Sequence, residues 1–268
     1  FEVDFAPVDN KGFVDVEALA DLIRPDTILI SVMAVNNEIG SIQPIEAISE
    51  LLADKPTITF HVDAVQALAK IPTEKYLTER VDFATFSSHK FHGVRGVGFV
   101  YIKSGKKITP LLTGGGQERD YRSTTENVAG IAATAKALRL SMEKLDFFTS
   151  KTGQMKAVIR QALLDYPDIF VFSDEEDFAP HILTFGIKGV RGEVIVHAFE
   201  DYDIFISTTS ACSSKAGKPA GTLIAMGVDK DKAQSAVRLS LDLENDMSQV
   251  EQFLTKLKLI YNQTRKVR

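Results

Sequence analysis

Short apolar runs of strand length alternate with helically spaced apolar residues over the first half of the chain. Runs at residues 28–33, 57–62, 83–87 and 98–102 predict strands, as does the segment 3–6, where apolar residues alternate with acids. Apolar positions three and four apart predict amphipathic helices at 16–23 and 45–53, the second entered through Pro44. Strands separated by such helices are what a parallel α/β sheet requires. The run Gly114-Gly115-Gly116 predicts a bend, and a long helix rich in Ala, Leu, Lys and Met follows at 128–147. After it the pattern changes, with strands expected at 181–186, 204–206 and 236–241 and helices at 193–200 and 247–261. The expected architecture is a larger α/β domain with a mainly parallel sheet over 1–145 and a smaller α+β domain over 146–268. The long helix is expected to bridge them.

Composition narrows the functional classes. A chain of 268 residues that is 44% hydrophobic can bury a sizeable core, which excludes disorder as a description of the whole. Lys and Arg number 31 against 36 Asp and Glu, so a net charge of -5 offers no general attraction for nucleic acid or anionic lipid. Neither is expected as a partner. The longest mostly apolar stretch, 27–35, is far shorter than the roughly 20 residues of a membrane helix. No basic segment precedes an apolar one at the start, so no secretory signal is expected, and the chain reads as one entered within a strand. Cys212 is the single cysteine, which excludes an internal disulfide and fits a reducing cytoplasm.

Three polar segments fall where strands should end, the place where open α/β sheets bind ligands. They are Asn36-Asn37-Glu38-Ile39-Gly40, His61-Val62-Asp63-Ala64-Val65-Gln66 and Ser87-Ser88-His89-Lys90. Each also has a purely structural reading: Asn37 in a turn, Asp63 as a helix cap, Lys90 as a solvated strand end. Together, a carboxylate at one strand end and a lysine at the next suit pyridoxal phosphate, which needs a lysine for its aldehyde and an acid opposite its pyridinium nitrogen. His61, His89 and His92 lack a companion ligand pattern, so no metal is expected. The three glycines do not sit between a first strand and its helix, so they are no dinucleotide fingerprint and read as a flexible subunit-contact loop.

With these segments go Gly96-Val97-Gly98, Gly114 to Arg119, Arg122 to Asn127 and Ser210-Ala211-Cys212-Ser213. In this order and spacing the chain resembles the pyridoxal phosphate enzymes of the class V aminotransferase fold (fold type I), and among them the cysteine desulfurases. The resemblance implies that Lys90 holds the cofactor and moves the substrate Cα proton, that Asp63 faces the pyridine nitrogen, and that Gln66 donates to the phenolic oxygen. Ser87 and His89 would bind the phosphate, with Ser88 between them among the cofactor-binding residues and Thr125 reaching over from a second subunit of a homodimer. Asn37 would lie beside cofactor and substrate, and Arg238 would clamp the substrate carboxylate. Cys212, in a small polar segment with Lys215 and Lys218, would take the sulfur of L-cysteine as a persulfide and pass it to an acceptor protein serving iron–sulfur clusters, thiolated cofactors or tRNA.

The family also carries a further N-terminal stretch, with a phosphate loop, a ring-stacking histidine and part of the sheet, that has no counterpart here. After Lys90 the family commonly reads Gly-Pro-Lys-Gly where this chain has Gly93-Val94-Arg95-Gly96. Three alternatives stay open: an inactive fragment or partner-binding paralogue, a selenocysteine lyase, or an aminotransferase of the same fold.

Overall fold

The computed structural model describes residues 1–209 and 221–266, with side chains as far as residue 264. Cys212, Lys215 and Lys218 therefore lie outside the described residues. In chain order the elements are α1 (Val16–Leu22), β1 (Leu29–Met33), α2 (Ile45–Leu51), β2 (Thr59–Asp63), β3 (Phe83–Ser87), β4 (Gly98–Ile102), α3 (Val128–Met142) and α4 (Leu145–Leu164). There follow β5 (Ile169–Val171), β6 (Ile182–Ile187), α5 (Gly192–Glu200), β7 (Ser207–Thr208), α6 (Gly221–Ala225), α7 (Lys230–Gln234), β8 (Ala236–Ser240) and α8 (Met247–Lys266).

Two compact units are built from these elements. The parallel-sheet unit comprises Arg24–Ala34 and Ile45–Leu145; the antiparallel-sheet unit comprises Phe1–Ile23, Val35–Pro44 and Asp146–Arg268. This grouping differs from a single division after residue 145, because α1 and the 35–44 loop belong with the C-terminal half.

In the parallel-sheet unit the strand order is β1-β2-β3-β4. β1, β2 and β3 run parallel, so their C-terminal ends share one edge, whereas β4 returns antiparallel to β3. Phe60, Val62, Ala84 and Phe86 are buried on one face. Leu29, Ser31, Met33 and Asp63 are exposed on the other. Residues 3–6 form no strand: they have no ladder partner, and Phe1 and Phe5 stand in solvent. A strand without a neighbour leaves its backbone groups unpaired, so alternation alone does not make one.

In the antiparallel-sheet unit the order is β5-β6-β8-β7. Central β6 is buried at every position. One core gathers Leu183, Phe185 and Ile187 of β6, Val237 and Leu239 of β8, Met155, Ile159 and Leu163 of α4, Ile195 and Phe199 of α5, and Val250, Phe253, Leu257 and Ile260 of α8. The α8 residues recur at three- and four-residue steps, one stripe of a 3.6-residue helix. Phe199 and Phe253 stack at 4.9 Å. Burying each such side chain stabilises the fold by about 1.5–3 kcal/mol.

The helix expected over 128–147 is two helices. α3 ends where the Lys144 N–H reaches back to the Ser141 carbonyl, while the Ser141 hydroxyl donates to the Phe91 carbonyl at 3.1 Å. No Gly or Pro marks that break in the sequence. The strand expected at 204–206 forms instead as Ser207–Thr208. β5, three residues long, falls below the length at which alternation is visible. Among the described residues no helix is long and apolar enough to cross a membrane.

Candidate active site

The common edge of β2 and β3 carries the acid and the amine. Asp63 is the last residue of β2 and stands opposite Thr85 of β3 in register. The ladder continues past it, with Ala34 N–H donating to the Asp63 carbonyl and Ala64 N–H to the Thr85 carbonyl, so the strand end is held rigid. Its side chain is exposed, and Oδ1 accepts from Val65 N–H at 3.0 Å, which orients the carboxylate. Gln66, half-buried, lies in the turn that follows.

His61, two residues back, shares the face of Asp63 by strand alternation. Its Nδ1 lies 2.7 Å from Ser31 Oγ and its Nε2 3.1 Å from Thr85 Oγ1, so hydroxyls on both neighbouring strands engage the ring. Burial pushes the imidazole pKa below its ordinary value, and the Asp63 carboxylate opposes that only in part, which favours the neutral ring. The Ser31–His61–Thr85 line beside Asp63 is a site feature that sequence reasoning missed. The fall of polar residues on one face of three successive strands was its only signal.

β3 ends at Ser87, and Ser88–Lys90 make one 3₁₀ turn. Phe91 N–H and Gly93 N–H both donate to the Ser88 carbonyl, while Ser88 N–H donates to Val97 O. The Ser88 side chain is fully buried, with its hydroxyl 2.9 Å from Thr134 Oγ1 of α3. A Cβ at Gly93 would lie 1.9 Å from that hydroxyl, so only glycine lets the chain pass there. The expectation that Ser88 binds cofactor is therefore replaced by an anchoring role, since its hydroxyl is already bonded inside the protein. Ser87 and Lys90 are half-buried, and His89 is exposed. Among the described residues no hydrogen bond or ion pair engages Lys90 Nζ. Thr125 is exposed on the segment leading into α3.

The antiparallel-sheet unit carries the other two candidates. The Asn36 side-chain oxygen accepts from Glu38 N–H and Ile39 N–H, both at 2.9 Å, folding residues 36–40 into a tight turn. Gly40 closes it at φ +86°, with Ile182 of β6 3.0 Å from where a Cβ would sit. Thr184 Oγ1 donates to the Glu38 carbonyl and Ser173 Oγ to the Ile39 carbonyl, each at 2.5 Å. Arg238 of β8 stands between Thr184 of β6 and Ser207 of β7 in register, and its NH1 donates to the Asn37 carbonyl at 2.8 Å. Its Nε is buried without a hydrogen-bond partner among the described residues. Leaving such a donor unmet costs about 1–3 kcal/mol, which an anion on that side of the guanidinium would relieve.

The donor set fits pyridoxal phosphate. A carboxylate closes β2, and an amine with no partner among the described residues lies in the turn that follows the adjacent strand β3, with a hydroxyl at Ser87 and an imidazole at His89 within three residues of it along the chain. Within the antiparallel-sheet unit, Arg238 presents a fork suited to a carboxylate.

The class-V aminotransferase family model matches residues 1–253. The chain is 49% identical over its whole length to the NifS/IcsS protein homolog of Lactobacillus delbrueckii subsp. bulgaricus, of which it covers 70%. It is 38% identical to the cysteine desulfurase IscS of Clostridium botulinum, again over its whole length and 68% of that protein. A solved NifS-like protein superposes with a TM-score of 0.89 at 37% identity, over 98% of this chain and 68% of that one.

Proposed function

The chain belongs to the aminotransferase class-V family, and from that membership we propose that it is a pyridoxal phosphate-dependent cysteine desulfurase with Cys212 as the sulfur-accepting thiol. The observation that carries the reading is the Lys90 amine, without a partner among the described residues, in the turn after β3, the strand beside the one that ends at the Asp63 carboxylate. When bound, the cofactor supplies an electron sink that makes bonds to the substrate Cα labile.

The protein's own residues do the rest. Lys90 would hold the cofactor through its aldehyde and would carry the substrate Cα proton. Asp63 would keep the pyridine nitrogen protonated, Gln66 would donate to the phenolic oxygen, and Ser87, His89 and a second subunit's Thr125 would take the phosphate. Ser88 is left out of that set because Thr134 holds its hydroxyl. Arg238 receives the substrate carboxylate through the side that Asn37 does not occupy. The Cys212 thiolate then forms a bond to the substrate sulfur as the Cβ–S bond breaks. Alanine gains the proton that balances the exchange, and the sulfur stays on Cys212 as a persulfide for an acceptor protein. Iron–sulfur cluster or thiolated-cofactor assembly is the destination we favour, in the reducing cytoplasm that a lone thiol suits.

Incubation with pyridoxal phosphate should give a visible absorption band that Lys90→Ala abolishes. L-cysteine should then yield alanine and a persulfide on Cys212. Cys212→Ala should keep the band and lose the persulfide. Unchanged sulfur release in Cys212→Ala would refute its role. Absence of both band and alanine would favour a partner-binding protein instead, and preference for selenocysteine or a keto-acid acceptor would move the chain to another class-V activity.

A further inference from the structure

The described residues on either side of 210–220, the stretch that contains Cys212, are attached to the framework around Asn37 and Arg238. Before it, β7 pairs with β8 so that Ser207 stands opposite Arg238, and Thr209 is buried. After it, Thr222 in the first turn of α6 meets the 36–40 loop twice. Its N–H donates to Glu38 Oε2 at 3.3 Å, and its hydroxyl accepts from Asn36 Nδ2 at 3.2 Å. Asn36 is itself buried and holds the turn through its other side-chain atom. The same turn presents the Asn37 carbonyl to Arg238.

We propose that Glu38 and Asn36 are positioning residues for sulfur transfer, fastening the exit of the Cys212 segment through Thr222 to the loop and arginine that seat the substrate. The proposal rests on the desulfurase reading and deepens it. Nothing about binding cysteine requires these two contacts. Their value lies in indexing the thiol's mooring to the carboxylate clamp, so that the reacting sulfurs meet in a narrow range of geometries.

The test uses the whole chain with pyridoxal phosphate and L-cysteine. Glu38→Ala and Thr222→Val should slow persulfide formation on Cys212 on the order of ten-fold while KM for cysteine stays within about two-fold. Glu38→Gln, which keeps an oxygen acceptor for the Thr222 N–H, should recover most of the rate. A role confined to fold stability would not give that split or that rescue. Hydrogen exchange at the Thr222 amide, read without cofactor, should quicken in Glu38→Ala and remain slow in Glu38→Gln. Wild-type persulfide rates in both Glu38→Ala and Thr222→Val, or unaltered Thr222 exchange in Glu38→Ala, would overturn the proposal. A wild-type chain that never loads Cys212 would sink the desulfurase reading and the positioning role with it, and the exchange comparison would then show separately whether the anchor exists.

Discussion

At the scale of single residues, charge burial separates structure from chemistry. Asp82, buried at the start of β3, accepts from Phe60 N–H at 2.9 Å, from Arg80 at 2.8 Å, and pairs with Lys106 at 3.1 Å. Arg80 in turn donates to the carbonyls of Leu52, Lys55 and Ile58, so one acid and one guanidinium tie the start of β2 to the end of α2. Burial alone would raise the Asp82 pKa, but the Phe60, Arg80 and Lys106 donors outweigh it and hold the carboxyl below its ordinary 3.8. The unfolded chain then takes up the proton first as pH falls, so the stabilisation is present above that value and is lost as pH drops through the depressed native one. Asp82→Ala should cost about 3 kcal/mol at pH 7 in urea unfolding, with the gap to wild type closing as the pH falls below the ordinary 3.8. A gap that does not depend on pH would contradict the account. Asp63 shows the opposite arrangement: exposed, with one backbone donor on Oδ1, it is left available to a ligand.

Among the elements, α4 shows how tertiary context overrides pattern. Its buried positions are Phe148, Thr152, Met155, Lys156, Ile159 and Leu163, a helical stripe with a lysine in it. Lys156 Nζ donates to the Ala179 carbonyl at 2.9 Å and lies 5.5 Å from the Phe178 ring centre. Burial, reinforced by Arg160 and opposed by Asp174 and Glu175, lowers its pKa from 10.5 to about 8. The unfolded chain keeps this proton to higher pH than the native one, so between those values the native state gains stability as pH rises. Lys156→Met, which fills the stripe without a charge, should be no less stable than wild type at pH 7. The difference should turn in favour of wild type toward pH 10, as read by denaturant midpoints. Parallel curves over that range would show that the burial account of Lys156 is wrong.

The whole molecule exposes apolar surface that a monomer leaves uncovered. Leu111 is 96% and Val128 72% exposed, with Ile108, Leu112 and Ile131 also in solvent, all in the stretch that includes Thr125. On the proposed reading, in which Thr125 would reach a second subunit's cofactor, exposed apolar side chains along this stretch suit contact with a second copy. Light scattering should give twice the 29.5 kDa chain mass at micromolar concentration. Leu111→Glu should shift it to monomer and weaken pyridoxal phosphate binding together. A wild-type mass of one chain, or a monomeric variant with undiminished cofactor binding, would break that link.

Periodicity and residue type were sufficient for the elements that are long or regular: β3 and β4 fall at 83–87 and 98–102 as the alternation predicts, and α1, α2 and α5 start within a residue of expectation. Asn37, Asp63 and Lys90 stand out as candidates because polar residues just beyond apolar strand runs are a local property of the chain, whereas Arg238, in the middle of β8, is identified only through the family resemblance. Period two carries no strand direction, so the antiparallel return of β4 had to come from the fold. Nor does it supply a partner, so residues 3–6 alternate yet make no strand. Whether a hydroxyl is available also depends on distant neighbours: Thr134 occupies Ser88 from 46 residues away, and Thr222 meets Asn36 and Glu38 across more than 180. Local chemistry is written in the order of residues, whereas partner, direction and burial arise only when remote segments are brought within bonding distance.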